Sequence, residues 1–164
     1  MFKGRQGTYN LVSGGVIAAL YVALTVIANA MGLASGAIQV RLSEALTILP
    51  CFTGAAVPGL TIGCVVANLI TGCAPLDVLV GPLATLIGAL GTWLLKDKPF
   101  LAWIPPVLSN ALIVPFVLQA AYGVPDAWGF LFLTVGAGEV IACGVLGLLL
   151  HSSLKRVPNL FQAP

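Results

Sequence analysis

LVSGGVIAALYVALTVIANAMGL, residues 11–33, is the stretch whose reading decides the fold. It contains no Asp, Glu, Lys or Arg, and it exceeds the ~20 apolar residues that carry an α-helix across a bilayer. Lys3 and Arg5 precede it and the small run Ala34-Ser35-Gly36-Ala37 follows, as in a cleaved signal peptide. Signal cores, however, run only about 7–15 residues. The segment therefore reads as a retained transmembrane helix.

The rest of the chain agrees. Of 164 residues, 59% are hydrophobic and only 7% charged, with a mean hydropathy of +1.07. Soluble domains carry about a quarter charged residues, so 7 basic and 5 acidic side chains could not cover a water-facing surface. This excludes an ordinary soluble enzyme and a disordered chain, and a net charge of +2 is too small for a nucleic-acid footprint. Further apolar runs cover about 37–52, 55–72, 76–95, 104–122 and 128–151, separated by glycine, proline and charge clusters. The expected architecture is an all-α integral membrane protein of six helices forming a single domain over residues 1–164. The second helix, which carries Arg41 and Glu44 and ends at Pro50, is expected to be short or partly re-entrant. Pro115 lies inside the fifth.

Orientation follows from the cations. With the N-terminus inside, Lys3, Arg5, Lys96, Lys98, Lys155 and Arg156 all fall on the cytoplasmic side, as the positive-inside rule requires, and Arg41 alone falls outside. Both termini are then cytoplasmic. The protein is expected in the plasma membrane of a bacterium, spanning it several times.

In that topology the other charged and amide groups gather toward one level. Arg41 and Glu44 lie near the outer end of helix 2, Asp77 opens helix 4, Asn68 lies in the outer part of helix 3 and Asn110 within helix 5. Glu139, about eleven residues into helix 6 at ~1.5 Å each, reaches the bilayer midplane. An ionisable group there costs about 2.5–3.5 kcal/mol on insertion scales, so these groups should face an interior, outward-opening pocket. Plainer readings exist for most of them. Arg41 and Glu44 suit an i,i+3 pair, Asp77 a helix N-cap, and Asn68 and Asn110 interhelical glue. Glu139 has no cap or cation near it in sequence and is the strongest pocket candidate. Tyr122 and Trp128 could form an aromatic lid; Trp103 and Trp128 also suit opposite interfaces as anchors, and His151 the inner interface.

Gly15, Ala19 and Ala23 recur at four-residue spacing, a smooth face that lets another helix approach closely. Gly59, Gly63 and Ala67 repeat the pattern, where internal packing is the better reading. The first set is a candidate docking surface for another membrane protein. Cys51, Cys64, Cys73 and Cys143 show no CxxC spacing and read as packing residues, with neither metal nor disulfide expected. There is no GxxxxGK[ST] phosphate loop, no HExxH and no GxSxG, so no catalytic residue is assigned and no ATP site resides in this chain.

VRLSEALTILP (40–50) resembles the signature of the QueT family of queuosine-precursor transporters, the substrate-binding (S) components of energy-coupling factor (ECF) transporters. The likeness continues through PGLTIGCVVANLITG (58–72), LDVLVGPLATLIGAL (76–90), PPVLSNALIV (105–114) and GAGEVIACGVLG (136–147). The resemblance implies an S-component-like bundle that binds a 7-deazaguanine (preQ0, preQ1, queuine or queuosine) from outside. It also implies partners: a membrane coupling protein, contacted through Gly15, Ala19 and Ala23, and two cytoplasmic ATPases that use ATP. On that reading Glu139 accepts the two donors of the guanine-like edge, Asn110 donates to its carbonyl, Glu44 or Asp77 holds a cationic substituent, and Arg41 balances charge at the mouth. Other cargo, such as a different vitamin or cofactor precursor, and a stand-alone proton-coupled carrier remain the alternatives.

Overall fold

The computed structural model describes residues 2–33, 39–157 and 161. The start of the second segment at Ala37, the small run from Ala34 and most of the C-terminal tail lie outside the described residues. Among the described residues the chain is all-helical, a bundle of six helical passes. Helix α1 (Phe2–Ala30) is followed by a 3₁₀ helix (Leu42–Cys51), α2 (Ala56–Ile70) and α3 (Pro75–Leu94). A single turn, α4 (Pro99–Ala102), leads into α5 (Ile104–Tyr122). The last pass consists of α6 (Trp128–Glu139), a π-helical stretch (Val140–Leu146) and α7 (Gly147–Leu154). Neighbours in the bundle run α1–α2–α3–α5–α6, while the 3₁₀ helix contacts α1, α2, α3, α7 and the π stretch.

The second segment departs most from expectation. It does not turn back: Arg41 enters at the end of the bundle where α2 finishes and α3 begins, and Phe52 leaves it packed on His151, ring centroids 5.0 Å apart. A 3₁₀ helix rises about 2.0 Å per residue against 1.5 Å for an α-helix, so ten residues reach farther than the sequence count suggested. Ser43, Glu44 and Leu46–Pro50 are all buried. His151, expected at an interface, is buried too, because Phe52 covers it. The first helix also begins earlier than residue 11, and the last continues to Leu154 with a π interruption that hydropathy could not register.

Small residues set the spacing between helices. In lipid there is no hydrophobic drive between apolar helices, so close backbone contact carries the association. A Cβ at Gly59 would stand 2.7 Å from the Gly14 carbonyl oxygen, and one at Gly63 2.8 Å from Tyr21 Cβ. Gly59, Gly63 and Ala67 therefore seat α2 on the Gly14–Ala18–Tyr21 face of α1. Gly15, Ala19 and Ala23 lie on the other side of α1 and are exposed. A third close approach fixes the entry to the 3₁₀ helix: a Cβ at Gly138 would come within 1.9 Å of the Gln39 carbonyl oxygen. Only glycine allows that strand to cross α6.

Candidate functional site

Two polar clusters, one above the other, replace the single chamber expected from the sequence. The upper one lines an open pocket of about 400 Å³ between the C-terminal ends of α1, α2 and α5, the start of α3 and the strand before the 3₁₀ helix. Thr25, Gln39, Arg41, Asn68, Asp77 and Tyr122 supply polar groups to its wall. Asp77 lies near the start of α3 and Lys96 just beyond its end. Twenty α-helical residues, about 30 Å, separate the pocket from the basic end of the bundle.

Asp77 organises this cluster. Its Oδ2 accepts a hydrogen bond from the Tyr122 hydroxyl at 3.0 Å and lies 3.9 Å from an Arg41 guanidinium nitrogen. Its backbone carbonyl accepts from Asn68 Nδ2 at 3.1 Å. Its Oδ1 is buried and has no hydrogen-bond partner among the described residues. The helix-cap reading for Asp77 does not hold, because Ala74 is the N-cap and Asp77 turns its carboxylate to other elements instead. Nor does Arg41 pair with Glu44: residue 41 is extended (φ −92°, ψ 103°), and its guanidinium goes to Asp77. Asn68 serves both readings given to it, as interhelical glue and as pocket wall.

The lower cluster is closed off behind the 3₁₀ helix. Glu44, 1% exposed, accepts from the Tyr21 hydroxyl through Oε1 and from Asn110 Nδ2 at 3.4 Å through Oε2. Glu139, 5% exposed, accepts from the Cys143 thiol at 3.2 Å. Thr47 Oγ1 donates to the Glu44 backbone carbonyl at 2.6 Å, one 3₁₀ turn back. Glu139 thus faces the protein interior and sits close to Glu44 but belongs to a different tier from Asp77. Glu44, Asn110 and Glu139 do not line the pocket. Ligand atoms of Glu44, Glu139 and Cys143 lie within 4.8 Å of one another, the geometry of a group that could hold a cation. No metal was expected there from sequence, where the four cysteines show no ligand spacing and read as packing residues.

The expected lid divides in the same way. Tyr122 stands in the pocket wall, whereas Trp128 is packed between Phe116 and Phe132, at centroid distances of 5.6 and 5.4 Å, and does not line the pocket. Tyr21, Thr25 and Gln39 were not singled out from the sequence, and Cys143 was read there as a packing residue only. A signal existed for two of them: Tyr21 and Thr25 are four apart in the charge-free stretch 11–33, on the face that packs inward. Thr25 Oγ1 donates to the Ser43 hydroxyl at 2.8 Å, tying α1 to the 3₁₀ helix beside the pocket. Cys143 follows Glu139 by four residues on the same face.

The description "QueT transporter" belongs to the family model that matches residues 11–156 of this chain, almost its whole length. The chain belongs to the QueT transporter family. Among curated relatives, the queuosine precursor transporter QueT of Lactococcus lactis subsp. cremoris (strain MG1363) is 38% identical over 83 residues, taking in 51% of this chain and 48% of the relative. The match thus spans about half the length of that relative. No solved structure matches significantly. As a QueT family member with several long apolar helices, the chain is a multi-pass protein of the cell membrane.

Proposed function

We propose that this chain is the substrate-binding component of an importer for a queuosine precursor, a 7-deazaguanine taken from outside the cell. The observation that carries the reading is the pocket itself. Arg41, Asn68, Asp77 and Tyr122, from four separate segments, meet in one opening at the end of the bundle opposite Lys96, Lys98, Lys155 and Arg156. The positive-inside rule assigns the basic end to the cytoplasm, so the opening faces out. Family membership and the name of the Lactococcus relative support the ligand class.

The polar inventory suits a flat, donor-rich heterocycle. A guanine-like edge offers a ring N–H and an exocyclic amine side by side, and a carboxylate can accept both. The pocket favours Asp77 for this task over Glu139, which the sequence had favoured, because Asp77 stands in the pocket wall while Glu139 lies behind the 3₁₀ helix. The ligand carbonyl then takes a donor from Asn68 or from the Arg41 guanidinium. Stacking of the heterocycle on the Tyr122 ring adds about 1–3 kcal/mol by analogy with base–aromatic contacts. Glu44, Asn110 and Glu139 act beneath, holding the 3₁₀ helix that Arg41 precedes.

Energy must come from elsewhere, since the chain has no phosphate-binding loop. A membrane coupling protein and two cytoplasmic ATPases, as in ECF transporters, would supply it, and the exposed Gly15–Ala19–Ala23 stripe offers the close-packing face such a coupling protein needs. Calorimetry with the purified chain tests the ligand class: preQ1, queuine or queuosine should bind, and riboflavin, thiamine and biotin should not. Reconstitution tests the energy source. Vesicles containing this chain alone should not accumulate the ligand on a proton gradient; accumulation would refute the dependence on ATPase partners.

A further inference from the structure

A groove on the outer surface of the bundle carries an inference independent of the pocket. It has a volume of about 430 Å³ and runs between Trp103 and the π–α7 stretch, where Gly144, Val145, Leu148, Leu149 and Ser152 line it. A Cβ at Gly144 would approach the Trp103 ring to 3.3 Å, so the absence of a side chain there gives the groove its depth. The lining makes no polar demand. Trp103 Nε1 donates to the Phe100 carbonyl at 2.8 Å, and the Ser152 hydroxyl to the Leu148 carbonyl, also at 2.8 Å. Val145 and Leu149 remain 54% and 61% exposed.

The register of this surface is informative. Positions 145, 148, 149 and 152 form one face of the helix; α7 ends at Leu154, and Lys155, its C-cap, continues that face while Arg156 follows in the closing turn. Both cations are exposed, and neither is in an ion pair among the described residues. The apolar groove therefore ends at two unpaired positive charges, on the basic side of the bundle. We propose that it is a binding site for an anionic phospholipid, with one acyl chain along the groove and the phosphate against Lys155 and Arg156. A protein helix is the poorer occupant: helix docking in membranes favours small residues at four-residue spacing, and here Leu148 stands between Gly144 and Ser152, with Trp103 and Leu149 as the other walls. An open apolar groove walled by long side chains suits a flexible hydrocarbon chain. Basic residues at the cytoplasmic ends of helices, in turn, recognise anionic headgroups.

Native mass spectrometry of the purified chain, titrated with phosphatidylglycerol or phosphatidylcholine of identical acyl chains, tests this. Phosphatidylglycerol should be retained roughly tenfold better, from two cations near the headgroup. The double substitution K155Q/R156Q should abolish that preference while leaving phosphatidylcholine retention unchanged. Gly144→Leu, which fills the groove, should reduce retention of both lipids; thermal unfolding of each variant alongside the parent establishes that it is folded. Equal retention of the two lipids by the parent would overturn the proposal. So would a preference that survives K155Q/R156Q in a folded protein, and a protein helix would then become the better occupant of this face.

Discussion

Gly138→Ala is the most informative single change in this molecule. The added Cβ would lie 1.9 Å from the Gln39 carbonyl oxygen, and real Cβ contacts essentially never fall below 3.0 Å, so the strand must retreat by about 1.1 Å. The obstacle is backbone, not the end of a flexible side chain, and it cannot swing aside. Overpacking of this kind costs about 1–3 kcal/mol. Arg41 is two residues beyond Gln39 and anchors the pocket through Asp77. The displacement should therefore appear as a loss of 7-deazaguanine affinity of about one to two decades, at ~1.4 kcal/mol per decade. Calorimetry gives the affinity, and unfolding in detergent shows how much of the cost falls on the fold instead. Gly136→Ala is the matched control, because its Cβ would meet only Ala111 Cβ at an ordinary 3.6 Å, and it should be neutral. If Gly138→Ala leaves both affinity and stability within twofold of the parent, the strand does not press on α6 and the account of the pocket's entry wall is wrong.

Other substitutions separate the two tiers and the docking face. Tyr21→Phe removes only a hydroxyl and leaves a buried Glu44 oxygen without its donor, so the unfolding free energy should fall by about 1–3 kcal/mol; an unchanged denaturation midpoint would mean the bond contributes nothing. Asp77→Asn keeps the shape but loses the charge that holds Arg41 and Tyr122, and ligand affinity should drop roughly tenfold or more. Undiminished binding by a folded Asp77→Asn protein would move recognition to another group. Replacing Ala19 and Ala23 together by Leu should spare ligand binding and stability, since both are exposed on the outside of α1, and should impair co-purification with a coupling protein. Loss of ligand binding instead would show that this face of α1 packs inward.

Hydropathy was enough to set the class of fold and the number of passes, and the cations at Lys96, Lys98, Lys155 and Arg156 set the orientation to be expected. These properties depend on the solvent: a bilayer sorts apolar from charged segments one helix at a time, and each helix satisfies its own backbone hydrogen bonds. The polar residues were also legible, because Arg41, Glu44, Asn68, Asp77, Asn110 and Glu139 have no reason to be in lipid unless they face the interior. Which of them meet was not legible. Asp77 finds Arg41 and Tyr122 only because α3 and α5 pack side by side, and Glu44 finds Tyr21 and Asn110 only because a 3₁₀ helix threads the middle of the bundle. That helix type, the π stretch after Glu139 and the crossing at Gly138 are responses to neighbours distant in sequence. A one-dimensional pattern gives each residue's preference for lipid or water, whereas partner choice depends on approach distances of a few ångström between helices, and those exist only once the chain has packed.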